Sequence, residues 1–310
     1  MALRTYSLLR MGMVAVVVSL GVSVLFEVSR SSGCAQRSIS AYYYTPTRAV
    51  FVGALITLGV SMIVLWGKNW VEDGFLNLAG MLAPVVAFVP TSDANFCGIS
   101  NASQQAANGD PTQLVLVAHQ AIDNNIRTLG VIIAVALIGV VLAVVTDSGW
   151  AALLRKKPGP WYRDVTFCVP YGLAVALWLI GAGVFAWGRD TFYHHAHMWS
   201  ATTLFAFVII VVCASAWDKR EDWQKGGGKP DANRRWMLWY GGIAGLMIVA
   251  AIVIPVVGKA ASGWIGDHWV LLIEATLIGL FGVFWVLQTI DRRDEGAPRP
   301  EPSPAQAVDA

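Results

Sequence analysis

Apolar residues in this chain fall into eight runs, about 8–28, 48–67, 75–92, 126–146, 166–187, 198–217, 237–257 and 269–290, each bounded by a short polar stretch. A helix rising 1.5 Å per residue needs roughly 18 or more apolar residues to cross a hydrocarbon core of about 30 Å. Within lipid the backbone must satisfy its own hydrogen bonds, so these runs predict helices and not an open sheet. The expected fold is an all-α integral membrane protein, a bundle of about eight transmembrane helices forming one polytopic domain over 1–292. The tail, 293–310, is rich in Asp, Glu, Arg, Pro and Ala and is expected to be a disordered cytoplasmic extension, because it cannot bury enough apolar surface to fold.

Charge gives the bundle a direction. Short loops on the cytoplasmic side carry the excess of Lys and Arg. With both termini inside, the outer segments hold only Arg30, Arg37, Arg48, Arg127, Arg189 and Lys259, and all other basic residues fall inside. The expected topology is therefore N-in and C-in, in a bacterial plasma membrane. A second reading of the first run is a cleaved signal peptide, with Ser32-Gly33-Cys34 faintly like a lipoprotein cleavage site; seven spans would then remain. Against it, Glu27 and Arg30 interrupt the approach and position 31 is Ser where such sites want Leu.

Composition agrees with the membrane reading: 56% of the 310 residues are hydrophobic, 14% are charged, and the net charge is +2. No basic stripe with interleaved aromatics is present, so no nucleic-acid partner is expected; the expected partners are membrane lipids and a protein docking on the outer face. Gly226-Gly227-Gly228-Lys229-Pro230 lacks the preceding strand and the Lys-Ser/Thr ending of a phosphate-binding loop and reads as a turn. No internal repeat is evident, which disfavours transporter folds built from duplicated halves.

The outer segments are 29–47 and 93–125. The first holds Cys34 and the run Tyr42-Tyr43-Tyr44, expected as an aromatic belt at the interface. The second holds Cys97 and a short surface helix read from Leu114, Val115, Val117, Ala118 and Ala121. Cys34 and Cys97 share one side, so a disulfide between them is expected in an oxidising compartment. Cys168 and Cys213 fall inside spans and read as small packing residues.

Charged groups within spans cost enough to be functional candidates by default. Glu274 lies within the last run, and Asp267, seven residues earlier, shares its helix face with His268 beside it. Asn77 is a milder candidate, and Pro84, Pro170 and Pro255 are expected to kink their helices. His194 and His197, at i and i+3, share a face as well. Neutral imidazole ligates zinc, and a catalytic zinc uses three protein ligands with one position left to water. The candidate metal set is therefore His194, His197 and His268, with Asp267 or Glu274 as fourth ligand, orienting group or general base, and His195 and His119 as spares. Two other readings stand beside it: a pH-responsive or substrate-contacting cluster without metal, and histidines half wet at the interface.

The segment Ser38 to Leu55, SISAYYYTPTRAVFVGAL, with Asn77-Leu78-Ala79-Gly80 and Val89-Pro90-Thr91, resembles a family of uncharacterised polytopic membrane proteins of bacteria. More remotely, a Ser followed by Tyr at a span end, with histidines on later helices, is similar to the superfamily of alkaline ceramidases and progestin/adipoQ receptors. That resemblance implies a zinc site built from an early His and a late His pair. Here Tyr44 stands at the early position, and Leu272 lies four residues after His268. The last run contains no Lys, so a retinal Schiff base is excluded. Two functions are expected: a metal-assisted hydrolase acting on a lipid or lipid-linked substrate at the outer leaflet, or a non-enzymatic transporter, sensor or assembly partner docking through its outer loops.

Overall fold

The computed structural model describes residues 2–91, 97, 111–145, 165–226 and 230–293. Among these residues there are eight α-helices and no strand: α1 (Ala2–Arg30), α2 (Arg48–Val64), α3 (Trp70–Phe88), α4 (Pro111–Val145), α5 (Val165–Trp187), α6 (Arg189–Gln224), α7 (Pro230–Ala260) and α8 (Trp264–Asp291). Each of the eight apolar runs is a helix. All but α2 are long and apolar enough to cross a membrane, and α2, at 17 residues, is apolar but shorter. The tail beyond 293 lies outside the described residues.

Successive helices run to and fro, so the bundle has two ends. One, here the terminal end, gathers the start of α1, the α2–α3 and α6–α7 connections and the end of α8. The other, the cap end, gathers residues 31–47 and 89–91, Cys97, and the α5–α6 and α7–α8 corners. Exposed tryptophans mark both: Trp66, Trp70, Trp217, Trp223 and Trp239 at the terminal end, Trp187, Trp199 and Trp264 at the cap end. Between them lie exposed aliphatic side chains such as Ile132, Val135, Ile180, Val249 and Ile252. Two aromatic girdles around an apolar waist are the surface expected of a bundle that sits in lipid.

The core is built by α1, α2, α3, α6, α7 and α8, whose inward residues include Met13, Met62, Leu76, Val212, Tyr240, Met247 and Trp285. The helix α4 is the most peripheral: none of its most apolar stretch is buried. It also departs from expectation at its start. The short surface helix foreseen around 114–121 is the first part of one continuous 35-residue helix. Pro84, Pro170 and Pro255 each lie inside a continuous helix.

The helices α2 and α3 cross closely. A Cβ placed on Gly59 would lie 2.8 Å from the Gly80 carbonyl oxygen, and one on Gly80 would lie 2.6 Å from the Gly59 carbonyl oxygen. Without a hydrophobic drive between helices in lipid, such small residues let two backbones approach and gain van der Waals contact.

Side chains clamp the terminal end. Asn69 caps α3, its Oδ1 accepting from the Glu72 N–H at 2.8 Å. That cap places Glu72 in the first turn, 1% exposed. There its carboxylate accepts from Arg292 Nη2 at 2.9 Å, from Gln288 Nε2 at 2.8 Å and from the Lys68 N–H at 2.9 Å. Lys219 pairs with Asp291 at 2.8 Å, and the Tyr240 hydroxyl donates to the same carboxylate at 2.8 Å. Buried charges of this kind are tolerated only when paired and hydrogen-bonded.

The α2–α3 crossing makes a direct prediction. Gly80→Ala should lower the melting temperature in detergent, by an overpacking cost of roughly 1–3 kcal/mol. Gly53→Ala, whose added Cβ meets nothing within 4 Å, should melt within error of wild type. Equal melting temperatures for the two variants would contradict the close crossing.

Candidate functional site

The cap end is organised by residues 35–39, an irregular stretch of chain laid along α8. Four polar contacts repeat along it. Ala35 O faces His268 Nε2 at 3.1 Å, Arg37 Nη2 meets Asp267 Oδ1 at 3.1 Å, Arg37 O accepts from the Leu271 N–H at 2.8 Å, and the Ile39 N–H donates to Glu274 Oε2 at 2.6 Å. Positions 267, 268, 271 and 274 form one stripe on a helix, and the contacts follow that stripe over about two turns of α8.

From Ser40 the chain tightens into a 3-10 turn, Ser40–Tyr44. Its start is held by Ser38, whose Oγ accepts from the Ala41 N–H at 3.1 Å. Tyr42 and Tyr43 are buried here, so the interfacial belt foreseen for them is corrected: these rings fill the cap. The Tyr42 hydroxyl accepts from the Gln36 N–H at 3.2 Å, Arg48 donates to the Tyr43 hydroxyl at 2.5 Å, and the Tyr44 hydroxyl donates to Thr91 O at 3.2 Å. Burial pushes the Tyr44 phenol up to about 12, with Tyr43 adding to the rise and Arg48 opposing it. Cys34 and Cys97 form a disulfide, as expected from their shared side, and it ties the cap to the chain that follows α3. Cys213, expected to pack inside, is a free thiol on an exposed helix face; the Cys168 side chain lies outside the described residues.

The histidines do not converge. Among the described residues no three His, Cys, Asp or Glu side chains are grouped to hold a metal ion. His194 is largely exposed and lies 3.5 Å from Asp190, one turn back on its own helix. His195 packs against Trp199, and His119 stacks on Tyr193 with ring centroids 4.0 Å apart. His197 turns inward, 6% exposed, with Nδ1 2.6 Å from Val89 O. His268 stacks on Trp264, and its Nδ1 lies 2.8 Å from Trp264 O. Both His268 nitrogens therefore face carbonyl oxygens. A neutral ring can donate to one of them, an imidazolium to both. The structure does not bring His194, His197 and His268 together: His194 is largely exposed, His197 turns inward toward Val89, and His268 faces the cap.

Asp267 and Glu274 do share a face, as their seven-residue spacing requires, and that face is where the cap docks. What lies beneath is a cavity of about 70 Å³ between α1, α2, α3, α6, α8 and the cap. Glu274, Ser40 and His197 reach its wall; Leu55, Phe205, Ile278 and Phe281 are among its apolar lining. His197 Nε2 is buried and has no hydrogen-bond partner among the described residues. Compared with protein-family models, curated proteins and solved structures, the chain matches none.

Nothing in the run of residues singled out Glu72, Val89 or the 35–39 stretch as site-forming. Glu72 had one usable signal, the Asn-x-x-Glu spacing at Asn69 that starts a helix earlier than the apolar run does. Replacing Glu274 by Ala strands the Ile39 N–H and should cost about 1–3 kcal/mol in thermal or denaturant unfolding. Glu274→Gln keeps an acceptor and should lose less. Cap release should also be visible directly, as faster amide exchange over 35–44 in Glu274→Ala; unchanged exchange there would disprove the capping role.

Proposed function

We propose that this protein binds the hydrocarbon chain of a lipid, taking its end into the cavity beneath the disulfide-tied cap. The observation that carries the reading is the cavity itself. Its wall is drawn from five helices and is almost wholly apolar, and Glu274, the carboxylate that reaches it, is held by the cap backbone. An apolar cavity stays dry and takes apolar guests, and one of roughly 150 Å³ holds benzene. A space of about 70 Å³ suits the terminal carbons of a chain entering between helices.

The distribution of Lys and Arg supports placing the cap end on the extracytoplasmic side, where a disulfide persists. On this reading the protein is a lipid-binding multi-pass protein of the plasma membrane.

The test is photolabelling of the detergent-purified protein with a fatty acid carrying a diazirine near its methyl end. Labels should map to α2, α6 and α8 around Leu55, Phe205 and Ile278. Ala201→Phe, which pushes a ring into the cavity, should cut that labelling at least several-fold while the Cys34–Cys97 disulfide and the melting temperature are kept. Labelling spread evenly over the outer faces of the bundle, and indifferent to Ala201→Phe, would sink the proposal.

A further inference from the structure

The terminal end carries a buried charge that its neighbours leave unanswered. Arg10 is 5% exposed. Its Nε is buried without a partner, and its guanidinium makes no hydrogen bond or ion pair with any described residue. Among the charged groups that act on it, Arg292 repels it and Glu72 attracts it. The carboxylates at this end already have partners. Glu72 takes Arg292, Gln288 and the Lys68 N–H; Asp291 takes Lys219 and Tyr240; Asp218 accepts from Asn69 at 2.6 Å; Asp222 pairs with Lys68 at 2.9 Å; and Asp73 accepts from the Gly67 N–H at 3.0 Å. Each of these acids is thus engaged by a group other than Arg10, and Arg10 is left over among the described residues.

An arginine stays charged and offers five N–H donors in a planar fork. Whatever answers it must be an anion with several acceptor oxygens, and phosphate fits that fork with two parallel hydrogen bonds. The position says where such a phosphate comes from. Trp70, Trp217 and Trp239, exposed members of the terminal-end girdle, lie within two residues of Glu72, Lys219 and Tyr240, the members of the network around Arg10. Indole rings settle at the headgroup level of a bilayer, so the network sits at the depth of lipid phosphates. Basic pockets between transmembrane helices at that depth hold lipid head groups.

We propose that Arg10, with Arg292 behind it, is a binding site for the phosphate of a membrane phospholipid at the terminal end of the bundle. The site is distinct from the cavity under the cap: it reads a headgroup at the opposite end, and it does not depend on what fills the cavity.

The experiment uses the full chain, stripped of lipid in a non-ionic detergent. Thermal unfolding and native mass spectrometry are followed while it is titrated with short-chain phosphatidylglycerol, with diacylglycerol of the same chain length, and with inorganic phosphate. Wild type should retain phosphatidylglycerol and gain several degrees in melting temperature, with no gain from diacylglycerol. Arg10→Gln should lose most of that gain, and Arg10→Lys should keep part of it. In the lipid-free state Arg10→Met should melt at or above wild type, because it removes an unpaired buried charge. Equal gains from phosphatidylglycerol and diacylglycerol in wild type alone would overturn the site without recourse to any variant. So would an undiminished response in Arg10→Gln, or a lower melting temperature for lipid-free Arg10→Met. An equal gain from inorganic phosphate at the same concentration would overturn the assignment to a lipid.

Discussion

The docking of residues 35–39 along the first turns of α8 is the interaction on which the cap end depends. It sets an irregular stretch of chain, bent at residues 37–39, against a helical stripe with a repeat of three to four, and the contacts last only as far as Glu274. Beyond that point the chain turns into the 3-10 segment and its tyrosines pack inward. A non-helical segment in a membrane protein must find acceptors and donors for its own backbone. Here α8 supplies them, with side chains that would otherwise be isolated polar groups near lipid. The candidate residues of the last helix and the cap thus answer each other's unsatisfied hydrogen bonds.

The same helix governs the other end. From Glu274 to Gln288 is about 21 Å along α8. The stretch between them is apolar, with Leu277, Phe281, Phe284 and Trp285 buried. So α8 carries two polar clusters held apart by a dry interior: one receives the cap, the other receives α3 through Glu72 and α6 through Lys219. The cavity lies nearer the cap, where helices meet a loop instead of a complementary ridge. The α7–α8 corner is tight, with Trp269 so close to Gly258 that no side chain could stand there.

Some of the cap was legible before any fold was known. Asp267, His268 and Glu274 lie on one face by helical arithmetic, and Cys34 and Cys97 lie on one side by counting spans; the disulfide forms, and the three polar residues meet a single partner. The histidines of the candidate set stand apart for a physical reason. Spacing within a helix fixes which residues share a face but not what that face meets, and α6 turns His197 beneath Val89 while leaving His194 in solvent. Glu72 lies before the third apolar run, and Asn69 begins the helix sooner and carries that acid inside.

Hydropathy and composition by themselves determined eight helices and the class of bundle they form, because the cost of bare backbone in lipid leaves a long apolar run no other structure. The side on which each loop emerges follows from the same count, and with it the one cysteine pair able to meet. Only the tertiary structure decided which polar groups touch. The order in which helices pack and the angle at which each is turned depend on side-chain fit between segments far apart in the chain, such as Gly59 against Gly80 and Glu72 against Arg292. No periodicity within one segment encodes such a contact, and both the apolar cavity and the unanswered charge of Arg10 are products of it.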